Sequence, residues 1–217
     1  MHVIFDLDGT LTDPYEGISR SVAHALEQMS KPALSIQRLR SFIGPPLQDS
    51  FASLGFAGDD VALAVELYRG RYSELGLYEN QVYAGIPEVL EALATSGTTM
   101  AVATSKPLPI AERILNHFNL SKFFTAIAGA TLDGSRSSKA DVISFALARL
   151  DARADDARMV GDREQDILGA QQNQMPSIGV GWGYAEPGEL EAAGADAIVA
   201  TPRELVRLLG DGSAATR

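Results

Sequence analysis

The chain begins with His2-Val-Ile-Phe-Asp-Leu-Asp-Gly-Thr-Leu-Thr12, a stretch in which an apolar run ends in two carboxylates, Asp6 and Asp8. The run predicts a buried β-strand that opens into a loop, where side chains two residues apart project to the same side. Two anions about 4 Å apart repel each other by about 4 kcal/mol at an effective dielectric of about 20. The sequence therefore predicts a cation beside them, and oxygen ligands that share the ion with a substrate phosphate favour Mg²⁺.

Composition narrows the class of protein. A chain of 217 residues that is 46% hydrophobic can form one domain, or one domain with a smaller insertion. It contains no cysteine, which excludes disulfides and thiol chemistry. The formal charge of −10 argues against a nucleic acid polymer or an anionic membrane as partner, because both bind basic surfaces. Without a long apolar run or a signal-peptide pattern, we expect a cytoplasmic protein.

From residue 86 onward, short apolar or β-branched runs alternate with longer amphipathic segments. The predicted strands cover residues 98–104, 124–128, 158–161, 177–180 and 197–199. The predicted helices cover residues 87–95, 107–116, 138–150, 164–173 and 202–209. This alternation predicts an α/β fold, a Rossmann-like parallel sheet with helices on both faces. Ligands of such sheets bind at the carboxyl ends of the strands, where the strand order reverses.

The segment between the first strand and residue 83 is too long for an ordinary loop and has helical periodicity. It predicts helices at residues 16–29, 36–42, 47–54 and 59–75. We expect a core domain of residues 1–13 and 84–217, with a small all-helical cap of residues 14–83 inserted into it. Residues 210–217 are small and polar, and we expect them to be frayed.

Two further segments offer groups that bind phosphate. A predicted strand ends in Thr104 and Ser105, and the Thr104 hydroxyl can donate a hydrogen bond to a phosphate oxygen. Taken alone, this segment is more typical of a turn followed by a helix cap than of a phosphate site. Lys139 follows two serines at a predicted helix start, where the helix dipole and an ammonium group both attract an anion. The alternative for Lys139 is an ordinary surface lysine.

A last segment adds two carboxylates. Asp162 follows a predicted strand and Gly161, and Asp166 lies four residues on, one turn into a helix, so both can face one crevice. Each aspartate alone would also suit a helix N-terminus. Together with Asp6 and Asp8, they predict an acidic cup for a divalent ion.

Other residues favour no competing mechanism. His2, His24 and His117 fall at a strand start or inside helical patterns, and neither a serine elbow nor a Walker-type loop occurs. Trp182 and Tyr184 follow a predicted strand. The two aromatic side chains could line one side of the site, but packing under the next loop is favoured.

Taken in order, these segments resemble the four motifs of the haloacid dehalogenase superfamily: Asp6-Leu-Asp8-Gly-Thr10, Thr104-Ser105, Lys139, and Gly161-Asp162 with Asp166. The helical insertion, including Phe42-Ile-Gly-Pro-Pro-Leu47, resembles the type 1 cap of that family. The resemblance implies that Asp6 is the nucleophile and Asp8 the general acid and base. It further implies that Thr104 donates to phosphate and that Lys139 orients Asp6 and phosphate. Asp162 would bind the metal with Asp6 and the backbone carbonyl of Asp8, supported by Asp166.

Within the superfamily, an acid at the position of Asp8 is typical of phosphatases and mutases. Residues 132–141 and 160–166 most resemble the 5′-nucleotidase-like branch near phosphoglycolate phosphatase. A phosphatase of small phosphate monoesters is therefore expected, with a sugar phosphomutase and a phosphate-sensing or partner-binding module as alternatives. The oligomeric state stays open.

Substrate contacts are expected from both predicted domains. The residues expected to contact substrate or phosphate are Gly9, Thr10 and Ser105 in the core, and Ile43, Gly44, Pro45 and Arg69 in the cap. The proline-rich turn offers a stiff, mainly apolar surface that suits a base or a sugar, which favours nucleoside 5′-monophosphates. Arg69 could instead meet the carboxylate of phosphoglycolate.

Overall fold

A computed structural model describes residues 1–131 and 135–211. The chain divides into two compact units, one made of Met1–Thr12 and Val82–Arg217, the other of Asp13–Gln81. The chain crosses between the units at two short strands, β2 (Thr12–Asp13) and β3 (Gln81–Val82), which pair with each other.

The first unit is built on a six-stranded sheet whose neighbouring strands all run parallel. Its strands are β1 (His2–Phe5), β4 (Thr99–Pro107), β5 (Ala126–Ala130), β6 (Ala157–Gly161), β7 (Ser177–Val180) and β8 (Ala197–Val199). Their order is β5-β4-β1-β6-β7-β8, so the chain builds the sheet outward from β1 in two directions. The strand order therefore reverses beside β1, and the expected α/β fold with a parallel sheet is confirmed.

Helices connect these strands and cover the sheet. They are α5 (Ile86–Thr95), α6 (Leu108–His117), α7 (Lys139–Leu150), α8 (Glu164–Gln172), α9 (Glu189–Ala192) and α10 (Pro202–Asp211). Local sequence explains several starts. Proline lies in the first turn of α5, where no backbone N–H is needed, and the Ser138 hydroxyl caps α7 by accepting from the Asp141 N–H.

One face of the sheet packs against α7 and α8 through alternate strand residues. Small side chains dominate this layer, which lets the helices lie close to the strands. Its strand members are Ile4, Ala101, Ala103, Ala126, Ala128, Ala157 and Met159, and its helix members include Val142, Ile143, Ala146, Leu147 and Ala170.

The second unit contains the helices α1 (Tyr15–Gln28), α2 (Ile36–Arg40), α3 (Leu47–Ala52) and α4 (Asp59–Arg71), followed by a π-helical turn, Tyr72–Gly76. The sequence predicts one helix over residues 59–75, whereas the structure changes hydrogen-bond pattern after Arg71. The π-helical turn packs closely on α1. A Cβ on Gly17 of α1 would overlap the carbonyl oxygen of Gly76, the last residue of the turn. Such a long-range contact leaves no trace in the local pattern.

An ion-pair cluster lies within this second unit. Glu79 accepts two hydrogen bonds from Arg71, at 2.8 and 3.0 Å, and one from Arg20 at 2.8 Å. The Arg71 contact, and after it the Arg20 contact, hold the pKa of Glu79 below its ordinary value against the effect of burial.

One strand differs in length from its prediction. β4 continues to Pro107, three residues beyond the predicted end, and its register with β5 shifts between Thr104 and Pro107. Extended backbone before Pro107 follows from the steric restriction that proline places on the preceding residue. The predicted helix from Pro107 accordingly begins one residue later.

Two expectations reach beyond the described residues. Residues 132–134 of the nucleotidase-like stretch, and 212–217 of the tail expected to be frayed, lie outside them. Within residues 1–131 and 135–211, no helix combines the length and apolar character needed to cross a bilayer.

Candidate active site

Three strands deliver the candidate site, and they are the three that meet at the reversal of strand order. Asp6 directly follows β1, and its N–H donates to the carbonyl of Val160 in β6 at 2.9 Å. Its carboxylate is buried and lies 2.9 Å from the ammonium group of Lys139, the first residue of α7. A buried lysine beside a carboxylate contradicts the surface-lysine alternative.

Lys139 also contacts a second carboxylate. Its Nζ lies 2.7 Å from Asp166 Oδ1 and donates to the carbonyl of Ala103 at 3.2 Å. Burial alone would lower the pKa of the Lys139 ammonium, but the charges of Asp166 and Asp6 outweigh burial and raise it. Lys139 therefore stays a cation at neutral pH and links the first and last motifs.

Asp162 is fully buried at the end of β6. The Thr10 hydroxyl donates to its Oδ1 at 3.2 Å, and the Tyr184 backbone N–H donates to its Oδ2 at 2.8 Å. Burial, followed by the charges of Asp166 and Asp6, raises the pKa of Asp162 well above its ordinary value. The carboxylate is thus fixed in position while its charge is only partly balanced by neighbouring protein groups.

Asp166 lies one turn into α8, and its other oxygen accepts from the N–H of Arg163 at 3.1 Å, as in a capping box. Burial raises the pKa of Asp166 to about 6, although Lys139 opposes this effect. The carboxylate therefore has both a local role, at the start of α8, and a place in the acidic cluster.

The acidic cluster consists of Asp6, Asp162 and Asp166, whose nearest carboxylate oxygens lie within 4.8 Å of one another. With Asp8 added and every carboxyl group counted as ionised, the site holds four carboxylates and two ammonium groups, those of Lys139 and Lys106, a formal charge of −2. A divalent cation with oxygen ligands fits both the charge and the donor set. Of the four predicted metal ligands, the structure brings three side chains together, and the Asp8 carboxylate is turned to Lys106 instead.

Asp8 has an unusual partner. The Lys106 ammonium lies 2.5 Å from Asp8 Oδ2, with the lysine side chain only 7% exposed. Burial raises the pKa of the Asp8 carboxyl, and the charge of Lys106 opposes that rise. Sequence reasoning missed Lys106. Its available signal was a cation directly after two hydroxyl residues at a strand end.

The predicted phosphate-binding residues of the core lie around these carboxylates. Thr104 is buried, and its hydroxyl oxygen accepts from the Lys106 N–H at 3.2 Å, which leaves the hydroxyl proton for another acceptor. Ser105 is half-buried. Gly9 has a φ of +86°, and a Cβ there would overlap the Asp162 carboxylate, so both backbone conformation and space require glycine.

A loop after β7 encloses the same group of residues. The Trp182 indole N–H donates to the carbonyl of Thr10 at 3.1 Å. A Cβ on Gly183 would overlap the Cβ of Asp162 and lie 2.5 Å from the carbonyl oxygen of Gly9. Together with the Tyr184 hydrogen bond, these contacts show that the loop holds Thr10 and Asp162 in place. The expected packing of Trp182 and Tyr184 under the next loop did not include this role.

The remaining predicted site residues belong to the second unit. Ile43, Gly44 and Pro45 form the turn between α2 and α3, where Ile43 is buried and the other two are half-buried. Gly44 has a φ of +106°. Arg69 is exposed on α4.

The family model of haloacid dehalogenase-like hydrolases matches residues 3–180. The chain belongs to this family. A 5′-nucleotidase of Pseudomonas aeruginosa is 46% identical to this haloacid dehalogenase-like hydrolase over 192 residues, covering 88% of this chain and 87% of that protein. The tyrosine-protein kinase PtkA of Mycobacterium tuberculosis is 40% identical over 210 residues, covering 96% of this chain and 72% of the kinase.

A solved structure agrees over nearly the whole length. A predicted phosphatase from Clostridium acetobutylicum superposes with a TM-score of 0.92 and 43% identity, covering 97% of this chain and 98% of that one. Phosphoglycolate phosphatases of several bacteria also match, at 26% to 30% identity. The expected haloacid dehalogenase-like hydrolase with phosphatase relatives is confirmed.

Proposed function

We propose that the protein is a Mg²⁺-dependent phosphatase that hydrolyses small phosphate monoesters through an aspartyl-phosphate intermediate, with nucleoside 5′-monophosphates as the preferred substrates. The observation that carries the proposal is the position of Asp6, which lies 2.9 Å from the Lys139 ammonium and within the acidic cluster. A carboxylate so placed can attack a phosphorus atom while cations offset the charge of the approaching phosphate.

In the first half of the reaction, Asp6 attacks phosphorus and Asp8 gives a proton to the leaving oxygen. Burial raises the pKa of the Asp8 carboxyl and so favours its protonated form, which is the form that donates a proton. The Thr104 hydroxyl and Lys139 would bind the phosphoryl oxygens. In the second half, Asp8 takes a proton from the water that releases phosphate from Asp6.

The acidic cluster could hold a divalent metal ion. Asp6, Asp162 and the backbone carbonyl of Asp8 would hold Mg²⁺, which would supply charge neutralisation at the phosphoryl group. The chain's own contribution is to hold the ligands rigidly. Asp162 is fixed by the Thr10 hydroxyl and the Tyr184 N–H, and Asp166 holds Lys139 beside the nucleophile.

We assign substrate preference to the second unit, because the motif residues of the first unit would contact only phosphate and metal. The stiff turn of Ile43, Gly44 and Pro45 suits a base or a sugar. Similarity to a protein named 5′-nucleotidase favours the same substrate class. This chemistry suits a small soluble substrate. The cytoplasmic location stays a prediction, which cell fractionation would test.

Phosphate release from a panel of monoesters, with Mg²⁺ and then with EDTA, tests the proposal. Wild type should release phosphate only with the metal. Asp6→Asn should lose essentially all turnover and stay folded, since the amide keeps the shape of the carboxylate but is a far weaker nucleophile. The matched control is Asp151→Asn, at an exposed position that ends α7. The backbone of Asp151 is left-handed, a conformation that asparagine tolerates.

Other products would identify the alternatives. An isomerised sugar phosphate would indicate a phosphomutase, transfer from ATP to a tyrosine would indicate a kinase like the named relative, and binding without turnover would indicate a phosphate-sensing or partner-binding module. Phosphoglycolate and a nucleoside 5′-monophosphate should also be compared in wild type and Arg69→Ala. A strong phosphoglycolate preference that disappears in the variant would reverse the substrate assignment.

A further inference from the structure

Lys106 is a buried cation that the four family motifs do not include. Its Nζ lies 2.5 Å from Asp8 Oδ2, and no hydrogen-bond donor within the described residues reaches the buried Asp8 Oδ1. Lys106 therefore holds the Asp8 carboxyl group through one of its two oxygens. A carboxyl group held in one orientation suits a proton donor that must meet the leaving group at a fixed position.

The backbone around Lys106 is shaped to place this side chain. β4 and β5 lose register between Thr104 and Pro107, which is the irregularity of a β-bulge, and bulges turn side chains from their regular direction. The Thr104 hydroxyl accepts from the Lys106 N–H at 3.2 Å and closes the bulge. On the facing strand, a Cβ at Gly129 would lie 2.8 Å from the Lys106 carbonyl oxygen, so glycine leaves room for it.

We propose that Lys106 is a positioning residue, which fixes the orientation of the Asp8 carboxyl group for delivery of its proton to the leaving group. This inference rests on the proposed phosphatase function. Lys106 acts through Asp8 and forms no bond to the reacting atoms.

The step that Lys106 assists is balanced within the site. An Asp6 oxygen forms a bond to phosphorus, and the bond from phosphorus to the leaving oxygen breaks with its electron pair on that oxygen. The proton of the Asp8 carboxyl group moves to the same oxygen. In the second half, water adds to phosphorus, the bond to Asp6 breaks, and the proton lost by water returns to Asp8.

A series of substituted phenyl phosphates tests the proposal. Phosphates with a weakly basic leaving group, such as 4-nitrophenyl phosphate, need little proton donation, whereas those with a basic leaving group depend on it. The value of kcat/KM reports only the steps up to departure of the leaving group. In Lys106→Met, we expect kcat/KM to fall by about 100-fold for the most basic leaving groups and by less than about 10-fold for 4-nitrophenyl phosphate.

Lys106→Gln provides the second variant, since its amide can still donate to Asp8 Oδ2 and should give a shallower dependence than methionine. If Lys106→Met fails to fold, as judged by circular dichroism, the glutamine variant carries the same test. Lys122→Met is the matched control, an exposed lysine that should leave the series unchanged.

The two possible failures are distinct. An equal loss of kcat/KM across the whole series would mean that Lys106 contributes to phosphate binding or to folding, and would overturn the positioning role alone. A wild type that releases no phosphate from any member would refute the proposed function, and the role of Lys106 would fall with it.

Discussion

Replacing Lys139 with methionine removes an ammonium group that contacts two buried carboxylates, at 2.9 Å for Asp6 and 2.7 Å for Asp166. Breaking one buried ion pair costs about 3–5 kcal/mol, against a total stability of about 5–15 kcal/mol. The variant should therefore fold, but with a melting temperature roughly 6–20 °C lower, at about 2–4 °C for each kcal/mol. Added Mg²⁺ should restore part of this loss, because the ion would bind the same carboxylates.

Turnover should behave differently from stability. Loss of one preorganised electrostatic contact lowers the rate by about 100-fold to 1,000-fold, and Mg²⁺ cannot replace an ammonium group beside Asp6. Calorimetry with and without Mg²⁺, together with phosphate release, separates the two effects, with Lys122→Met as the exposed control. A melting temperature unchanged from wild type together with a normal kcat/KM would refute the reasoning.

Two further variants address other contacts. Glu79→Gln should lower the free energy of unfolding by about 1 kcal/mol at pH 7. Because the folded-state pKa of Glu79 is depressed, its stabilisation is present above the ordinary value of 4.5 and disappears as the pH falls through the folded value. Melting temperatures measured against pH should therefore show wild type and Glu79→Gln becoming equally stable at acid pH. The control is Glu74→Gln, at an exposed position. Gly183→Ala should displace Asp162 and weaken Mg²⁺ binding by about 10-fold to 100-fold, measured as the Mg²⁺ concentration that raises the melting temperature, and unchanged affinity would contradict the packing argument.

Much of the fold was predictable because its signals are local. β7 (Ser177–Val180) and β8 (Ala197–Val199) have their predicted limits, since short apolar runs between polar turns specify such strands. The two-residue strands β2 and β3 and the four-residue helix α9 were missed, because so few residues carry no periodicity. The π-helical turn was missed because the packing of its segment against α1 depends on residues distant in sequence.

The candidate site also contains some residues that could be placed from sequence and others that could not. Asp6 and Asp162 could be placed from sequence because each directly follows a strand, and parallel strands end at one edge. Lys106 could not, because its contact with Asp8 depends on a register shift between two strands. Likewise, the role of Gly183 depends on how closely two loops approach, and residue type alone does not encode that distance.

The chain contains a single tryptophan, and its indole N–H donates to the loop that follows Asp6. Indole emission depends on the hydrogen bonding and polarity around the ring, so all tryptophan fluorescence of this protein comes from beside Thr10. Metal or phosphate binding could therefore be followed optically in the unmodified protein, without a label or a coupled assay. The same signal would remain in variants that bind but do not turn over, such as Asp6→Asn, in which occupancy could be measured apart from chemistry.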